Sequence, residues 1–359
     1  MVRSDEVEMA GASGSGVAFH EFASSWYQVA WSHELAVGAV VPLRYFGREL
    51  VLYRGEDGTP VVLDAICPHL GAHLGHGGCV SGGDIVCPFH GWRWGGDGSN
   101  VEIPYARRPN KAARIGSYPV REVNGCVLMW FDHDDAEPTW EPPRFEEFYS
   151  ADYFALSPHG TAHIWKNVGF APQHVMENSA DFAHFKFVHK NAEIAVIDYV
   201  RPDWPVFRYQ MATTYRTPEE PSVPGELPGE MWGLGLLMFR VLGVHDTTQL
   251  VTVTPIDEAH SDLRISVVSR NTDGTEVPDG MALRIMRHQI KEIERDLPIW
   301  ENMAYLNRPL LTPDEAKAFR ILRAWTRQFY PGGERVELES IERDDPQPAD
   351  SDLADARRE

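Results

Sequence analysis

Two short stretches limit what this chain can fold into more than anything else in it: CPHLGAHLG from Cys67 and CPFHGWRWGG from Cys87. Each offers one thiol and one imidazole, as Cys67-x-His69 and Cys87-x-x-His90, with 17 residues between His69 and Cys87. The chain has only four cysteines, so two of them set beside histidines call for a reason. Pro68, Gly71, Pro88 and Gly91 suit tight loops whose backbone N–H groups point inward at an anion.

Three arrangements compete. Two unrelated loops are the plainest. A structural zinc ion is the second, since two Cys and two His satisfy tetrahedral Zn²⁺. The third is a Rieske [2Fe–2S] cluster, in which two thiolates hold one iron and two imidazoles the other. Chain order separates them. Zinc fingers pair Cys with Cys and His with His on separate limbs, whereas here each limb supplies one of each. Two loops clasping a two-iron diamond need that order, and the reading favours the cluster.

Composition narrows the rest. With 359 residues, 43% hydrophobic and 24% charged, the chain reads as an ordinary globular protein with room for two domains. Its net charge of −20 argues against a nucleic-acid partner. No run of 18 apolar residues spans a membrane, and the N-terminal stretch lacks an apolar signal region, so a cytoplasmic location with reduced thiols is expected. GASGSG at Gly11 follows no strand, and no other stretch suits a nicotinamide or flavin. Residues 1–18 and 343–359 read as disordered tails, 19–138 as a first domain and 139–342 as a second. ELVLYRG, VVLDAIC and CVLMWFD read as strands before the Pro-rich EPTWEPPRF, and LLMFRVLG, TQLVTVTPI and LRISVVSR after it. Residues 278–305 and 313–330 read as helices, and 216–233 as a surface loop or lid. Cys79 and Cys126 have no histidine beside them and read as small buried residues. Arg107, Arg108, Lys111 and Arg114 form a basic stretch that reads either as a solvated strand face or as a docking site for an acidic protein.

The segment HVMENSADFAHFKFVHKNAEI carries Asp181, His184 and His189 among Val175, Met176, Phe182, Phe185, Phe187 and Val188, which reads as a largely buried helix. Hydrogen-bonded core histidines are one account of it. On a regular helix, side chains five apart point about 140° away from each other. One ion could join His184 and His189 only across a π-bulge or an unwound turn. Downstream, apolar residues at 286, 290, 293, 297 and 300 form a helical stripe with Asp296 at its edge. Geometry alone leaves Glu292, Glu294 and Glu301 beside it.

The pair CPH and CPFHGW resembles the Rieske domain of ring-hydroxylating-type oxygenases. CPFHGWRWGGDG, IPYARR and LPIWEN resemble 3-ketosteroid 9α-hydroxylase oxygenase components, and CPHLGA and ENSAD resemble the cholesterol 7-desaturase group. The likeness covers about residues 20–335. Ala72 and Phe89 stand where cytochrome-complex Rieske proteins place a disulfide, so that bridge is excluded. The resemblance implies an α+β fold, an antiparallel β Rieske [2Fe–2S] domain followed by a helix-grip (START-like) catalytic domain. It implies cluster ligands Cys67, His69, Cys87 and His90, and one mononuclear Fe²⁺ on His184, His189 and Asp296, with Pro298 helping to aim the carboxylate. Asp181 takes the place of a catalytic carboxylate bridging His184 and a cluster histidine, His90, across a head-to-tail homotrimer. The implied activity is that of a terminal oxygenase hydroxylating a steroid with O₂, fed by a separate NADH-dependent flavin/iron–sulfur reductase. A sterol 7-desaturase-like oxygenase and an aromatic-ring hydroxylase are the alternatives.

Overall fold

The computed structural model describes residues 21–343 except 155, 157–160, 216–219, 221, 244–245 and 272–279. The expected tails, apart from residue 343, lie outside the described residues. The first half is built from short antiparallel strands. They are β1 (Ser25–Trp31), β2 (Val40–Tyr45), β3 (Arg48–Arg54), β4 (Pro60–Asp64), β5 (Cys79–Ser81), β6 (Asp84–Val86), β7 (Arg93–Trp94), β8 (Asn100–Glu102), β9 (Ser117–Tyr118), β10 (Val120–Val123) and β11 (Cys126–Phe131). They form three sheets, ordered β1-β11-β10, β2-β3-β4-β9 and β5-β6-β7-β8. The two cluster-type loops leave β4 and β6, so one small core that includes Leu63, Ile85 and Trp94 supports both.

The second half contributes β12 (Ala162–Val168), β13 (Val196–Asp203), β14 (Val206–Tyr215), β15 (Val223–Trp232), β16 (Leu236–Val241), β17 (Thr247–Pro255), β18 (Ser261–Ser269) and β19 (Ile341–Glu342). These make one eight-stranded sheet in the order β12-β18-β17-β16-β15-β14-β13-β19. Among the described residues four α-helices accompany it: α1 (Pro172–Glu177), α2 (His184–Phe187), α3 (Gly280–Trp300) and α4 (Pro313–Arg327). Met286, Ile290 and Trp300 of the predicted stripe turn α3 into the core against the sheet. At the start of α4, Glu315 Oε1 accepts from Thr312 N–H at 2.7 Å, which satisfies the N-cap donor. Arg323 of α4 then grips Glu177 at the end of α1 through two bonds of 2.9 and 2.8 Å, which fixes the chain just before Asn178.

The halves share packing and buried polar bonds. Trp26 and Leu128 lie in one core with Leu236 and Leu250. Tyr45 donates to Asp262 at 2.7 Å and accepts from Arg264 at 2.7 Å.

Four sequence expectations need correction. Residues 223–232, expected as loop or lid, are β15, bonded to β14 along its whole length. Gly225 and Gly229 there lie beneath the rings of Tyr215 and Tyr209 on the facing strand, so the missing side chains make room for aromatic neighbours. The supposed helix around His184 is two short helices with a break at 178–183, because the chain must turn toward α3 to bring its histidines inward; Phe187 is 63% exposed. Cys79 is exposed, whereas Cys126 is buried. The basic residues 107, 108, 111 and 114 stand exposed on a loop rather than on a strand.

Candidate metal centres

The two loops of the first half are near copies. Cys67 N–H bonds to Ala72 O at 2.9 Å and Gly71 N–H to Cys67 O at 2.9 Å. In the second loop Cys87 N–H bonds to Trp92 O at 2.8 Å and Gly91 N–H to Cys87 O at 3.1 Å. Gly71 and Gly91 occupy equivalent positions with φ of 79° and 70°, a region that disfavours side chains. Both thiols are buried and unbridged. Burial and the neighbouring Cys87 push the Cys67 thiol's pKa up. The rings of His69 and His90 lie 4.8 Å apart, and Trp92 of the second loop stacks on His69 of the first at 4.6 Å. His90 Nδ1 is buried with no hydrogen-bond partner. An orphaned imidazole nitrogen and two crowded buried thiols suit a cluster that takes two sulfur and two nitrogen ligands.

The second constellation lies between the helices and the sheet. Ligand atoms of His184, His189 and Asp296 fall within 4.8 Å of one another. The helix α2 ends after one turn, at Phe187, so Val188 and His189 lie outside it. That unwound turn overcomes the 140° divergence, and the rings come to 5.1 Å. Each ring is held by the nitrogen away from the centre. His184 Nδ1 bonds to the main-chain oxygen of Asp181, and His189 Nδ1 donates to Glu292 Oε2 at 3.1 Å. His189 Nε2 is left 3.4 Å from Asp296 Oδ2, and His184 Nε2 is 3.4 Å from Asn178 Nδ2. Burial lowers the pKa of His184 against the pull of Asp181 and Asp296. Burial also acts to lower that of His189, but Asp296 and Glu292 outweigh it and raise the value to about 9.

Of the four downstream carboxylates, Asp296 is 3% exposed and faces the histidines. Glu294 and Glu301 are exposed, and Glu292 reaches only the far side of His189. Two buried imidazoles and one carboxylate on one side of a cavity suit a divalent iron with open positions. The carboxylate of Asp181 does not bond the His184 ring. Its Oδ1 accepts from Ala183 N–H at 3.1 Å and His184 N–H at 3.2 Å, and lies 3.9 Å from Nδ1. Sequence reasoning missed Glu292 as a support for His189, although its i, i+4 spacing to Asp296 on one helix face was a usable signal.

The three ligand-type residues open onto a cavity that is partly open to solvent. Its walls are mainly apolar, with Leu227, Phe239, Val251, Ile293 and Trp300 prominent, and Asn178, Ser179 and Tyr209 add polar groups.

Comparison with known proteins fits both halves. Residues 25–119 match the Rieske [2Fe-2S] domain, and residues 129–330, more than half the chain, match the 3-ketosteroid 9alpha-hydroxylase C-terminal domain. The chain belongs to this family of Rieske oxygenases. It is an oxidoreductase that carries a Rieske [2Fe–2S] cluster and a mononuclear iron. It is 30% identical to a cholesterol 7-desaturase of Xenopus laevis over 336 residues, 86% of this chain and 72% of that protein. It is 29% identical to a probable 3-ketosteroid-9-alpha-monooxygenase oxygenase component of Rhodococcus rhodochrous, over 91% of this chain and 85% of that one. Dicamba monooxygenase bound to dicamba shares the fold, with a TM-score of 0.67 at 20% identity over 85% of this chain and 98% of that chain. Among the described residues no helix is long and apolar enough to cross a membrane.

Proposed function

We propose that this oxygenase hydroxylates a steroid at an unactivated carbon, as the oxygenase component of a system that includes a separate reductase. The lining of the cavity carries the reading. It is mainly apolar and opens directly onto His184, His189 and Asp296, which suits an apolar substrate held beside the iron. The names of the Rhodococcus and Xenopus relatives support a steroid or sterol. The 30% identity to the desaturase keeps 7-desaturation of a sterol as the second reading.

Cys67, His69, Cys87 and His90 hold the cluster in this reading, and His184, His189 and Asp296 hold the iron. When bound, the cluster supplies single electrons and the iron activates O₂. The protein supplies the rest. Asp181 O and Glu292 hold the far nitrogens of the two histidines, so that both present Nε2. The apolar walls orient the substrate and exclude water from the reacting carbon. The Asp181 carboxylate, half-exposed beside His184, serves as the link to His90 of a neighbouring subunit.

Two unlike exposed apolar groups support a head-to-tail homotrimer: Leu70 and Phe89 on the cluster loops, and Phe187 beside the iron site. Residues 19–138 act as the Rieske domain and 139–342 as the catalytic domain. The reductase uses NADH, and Arg107, Arg108 and Lys111 offer it an exposed basic loop in an acidic protein.

The test supplies purified protein with a generic NADH-dependent reductase, O₂ and a panel of steroids, sterols, benzoate and phthalate. A hydroxylated steroid supports the first reading, and a sterol gaining a double bond supports the second. Turnover of only the small aromatic acids would overturn both. The protein should contain about three irons and about two acid-labile sulfides per chain.

A further inference from the structure

The cavity's polar groups divide by what they touch. Asn178 lies against His184 and belongs with the iron site. Ser179 and Tyr209 make no contact of that kind. Ser179 is only 4% exposed and Tyr209 5%, and both line the cavity. Ser179 Oγ is buried and has no hydrogen-bond partner. The Tyr209 hydroxyl is close enough to feel it: burial drives the phenol's pKa up to about 12, and Ser179 works against that rise. The two hydroxyls are thus neighbours without a well-formed bond between them.

A buried hydroxyl without a partner costs about 1–3 kcal/mol. Leu227, Leu237, Phe239 and Val251, which line the same cavity, offer no polar atom in their side chains. The cost is removed by a molecule that brings an oxygen to this wall. A hydroxyl both donates and accepts, so the partner is a ketone or an alcohol rather than a charged group. Apart from the two iron-site histidines, no basic side chain among the described residues lines the cavity to meet a carboxylate.

The geometry points to Ser179, assisted by Tyr209, as the polar anchor of the substrate cavity, binding a single uncharged oxygen on an otherwise apolar polycyclic substrate. The inference rests on the steroid reading above and adds to it the residue that selects the oxygenated ligand. Iron does not take part in this contact, so binding can be measured without turnover.

The experiment uses the full-length, metal-loaded protein without reductase and measures affinity by equilibrium dialysis. The probes are androst-4-en-3-one, androstan-17-one and the hydrocarbon androst-4-ene. The wild type should prefer at least one of the ketones over the hydrocarbon. Ser179→Ala should weaken that ketone about tenfold, the equivalent of about 1.4 kcal/mol, and leave the hydrocarbon unchanged or tighter. Ser179→Thr should retain most of the preference. If Ser179→Ala fails to fold, as judged by cluster absorbance and Tm, Tyr209→Phe serves in its place and should lower the same preference. Equal changes for ketone and hydrocarbon would overturn the anchor and leave the steroid reading standing. Failure of the wild type to bind any of the three probes would overturn both.

Discussion

Nδ1 of His189 donates to Oε2 of Glu292 at 3.1 Å, while Nε2 of the same ring lies 3.4 Å from Oδ2 of Asp296. One α3 helix therefore holds both sides of one imidazole. Arg295 donates to the same Glu292 oxygen at 2.7 Å and to His189 O at 3.3 Å, which holds the carboxylate in place. A carboxylate behind a ligand histidine fixes its tautomer and ring direction, and its loss lowers metal affinity by about 10–100-fold. Glu292→Ala should lose iron in that range while cluster absorbance stays constant. Glu292→Gln keeps an acceptor and should lose less. Chelator competition on the purified proteins measures both, and equal iron affinity in Glu292→Ala and wild type would contradict the role.

The Asp181 carboxylate caps α2 through one oxygen, Oδ1. Asn at this position keeps a capping oxygen but loses the charge. Asp181→Asn should retain both metals and nearly stop turnover. Cys87→Ser, lacking the cluster, and His184→Ala, lacking the iron, should each be inactive. Co-expressed in a head-to-tail ring, random mixing pairs a sound cluster with a sound iron at roughly a quarter of the interfaces. Activity should return in that proportion. Mixed assemblies that stay inactive, with each variant folded and metallated as expected, would show that the two centres of one chain work together.

Arg54 ties the first half together from a buried position. It donates to Leu35 O and Gly58 O at 2.6 Å each and makes two bonds to Glu122, of 3.0 and 2.7 Å. The bond to Arg54 holds the Glu122 carboxyl below its ordinary value of 4.5, against partial desolvation. A lowered folded pKa means that the stabilisation is present above pH 4.5 and is lost as pH falls through the folded value. Glu122 is partly exposed, so the effect is modest. Glu122→Gln should cost about 1–3 kcal/mol at pH 7. The gap between wild type and variant should narrow as pH falls from 4.5 in denaturant titrations. A gap that does not narrow at all below pH 4.5 would assign the loss to packing instead.

Much of the site could be read without coordinates because its signals are local. Four residues on two Gly- and Pro-bounded loops specify the cluster, and the stripe from Met286 to Trp300 orients Asp296 inward. The five-residue spacing of His184 and His189 even requires the helix to unwind between them, as it does after Phe187. What the sequence concealed depends on distant neighbours. β15 reads as loop because its prolines and glycines have low strand propensity. Leu227 and Met231, alternate residues, are buried there only because β14 and β16 flank them. The residue before the break at 178–183, Glu177, is fixed by Arg323 from 146 residues away. Ser179 gives no sequence signal at all, since a serine becomes conspicuous only when its hydroxyl is seen to lack a partner.

The pairing of Tyr209 with Gly229 across β14 and β15 offers a final test, because it links sheet register to the cavity. A Cβ on Gly229 would lie 2.2 Å from Tyr209 Cζ and 2.4 Å from its hydroxyl, far inside contact distance. Gly229→Ala must therefore displace the ring, and that ring forms part of the cavity wall. Steroid affinity should fall at least about tenfold, beside the 1–3 kcal/mol that overpacking costs the fold. Gly225 supplies the control on the same strand. A Cβ there would lie 2.1 Å from Tyr215 Cε2, but Tyr215 is not part of the cavity wall. Gly225→Ala should lower Tm to a similar extent and leave steroid affinity near that of wild type. Equal losses of affinity in both variants would mean that the cavity responds to general strain in β15 rather than to the position of Tyr209.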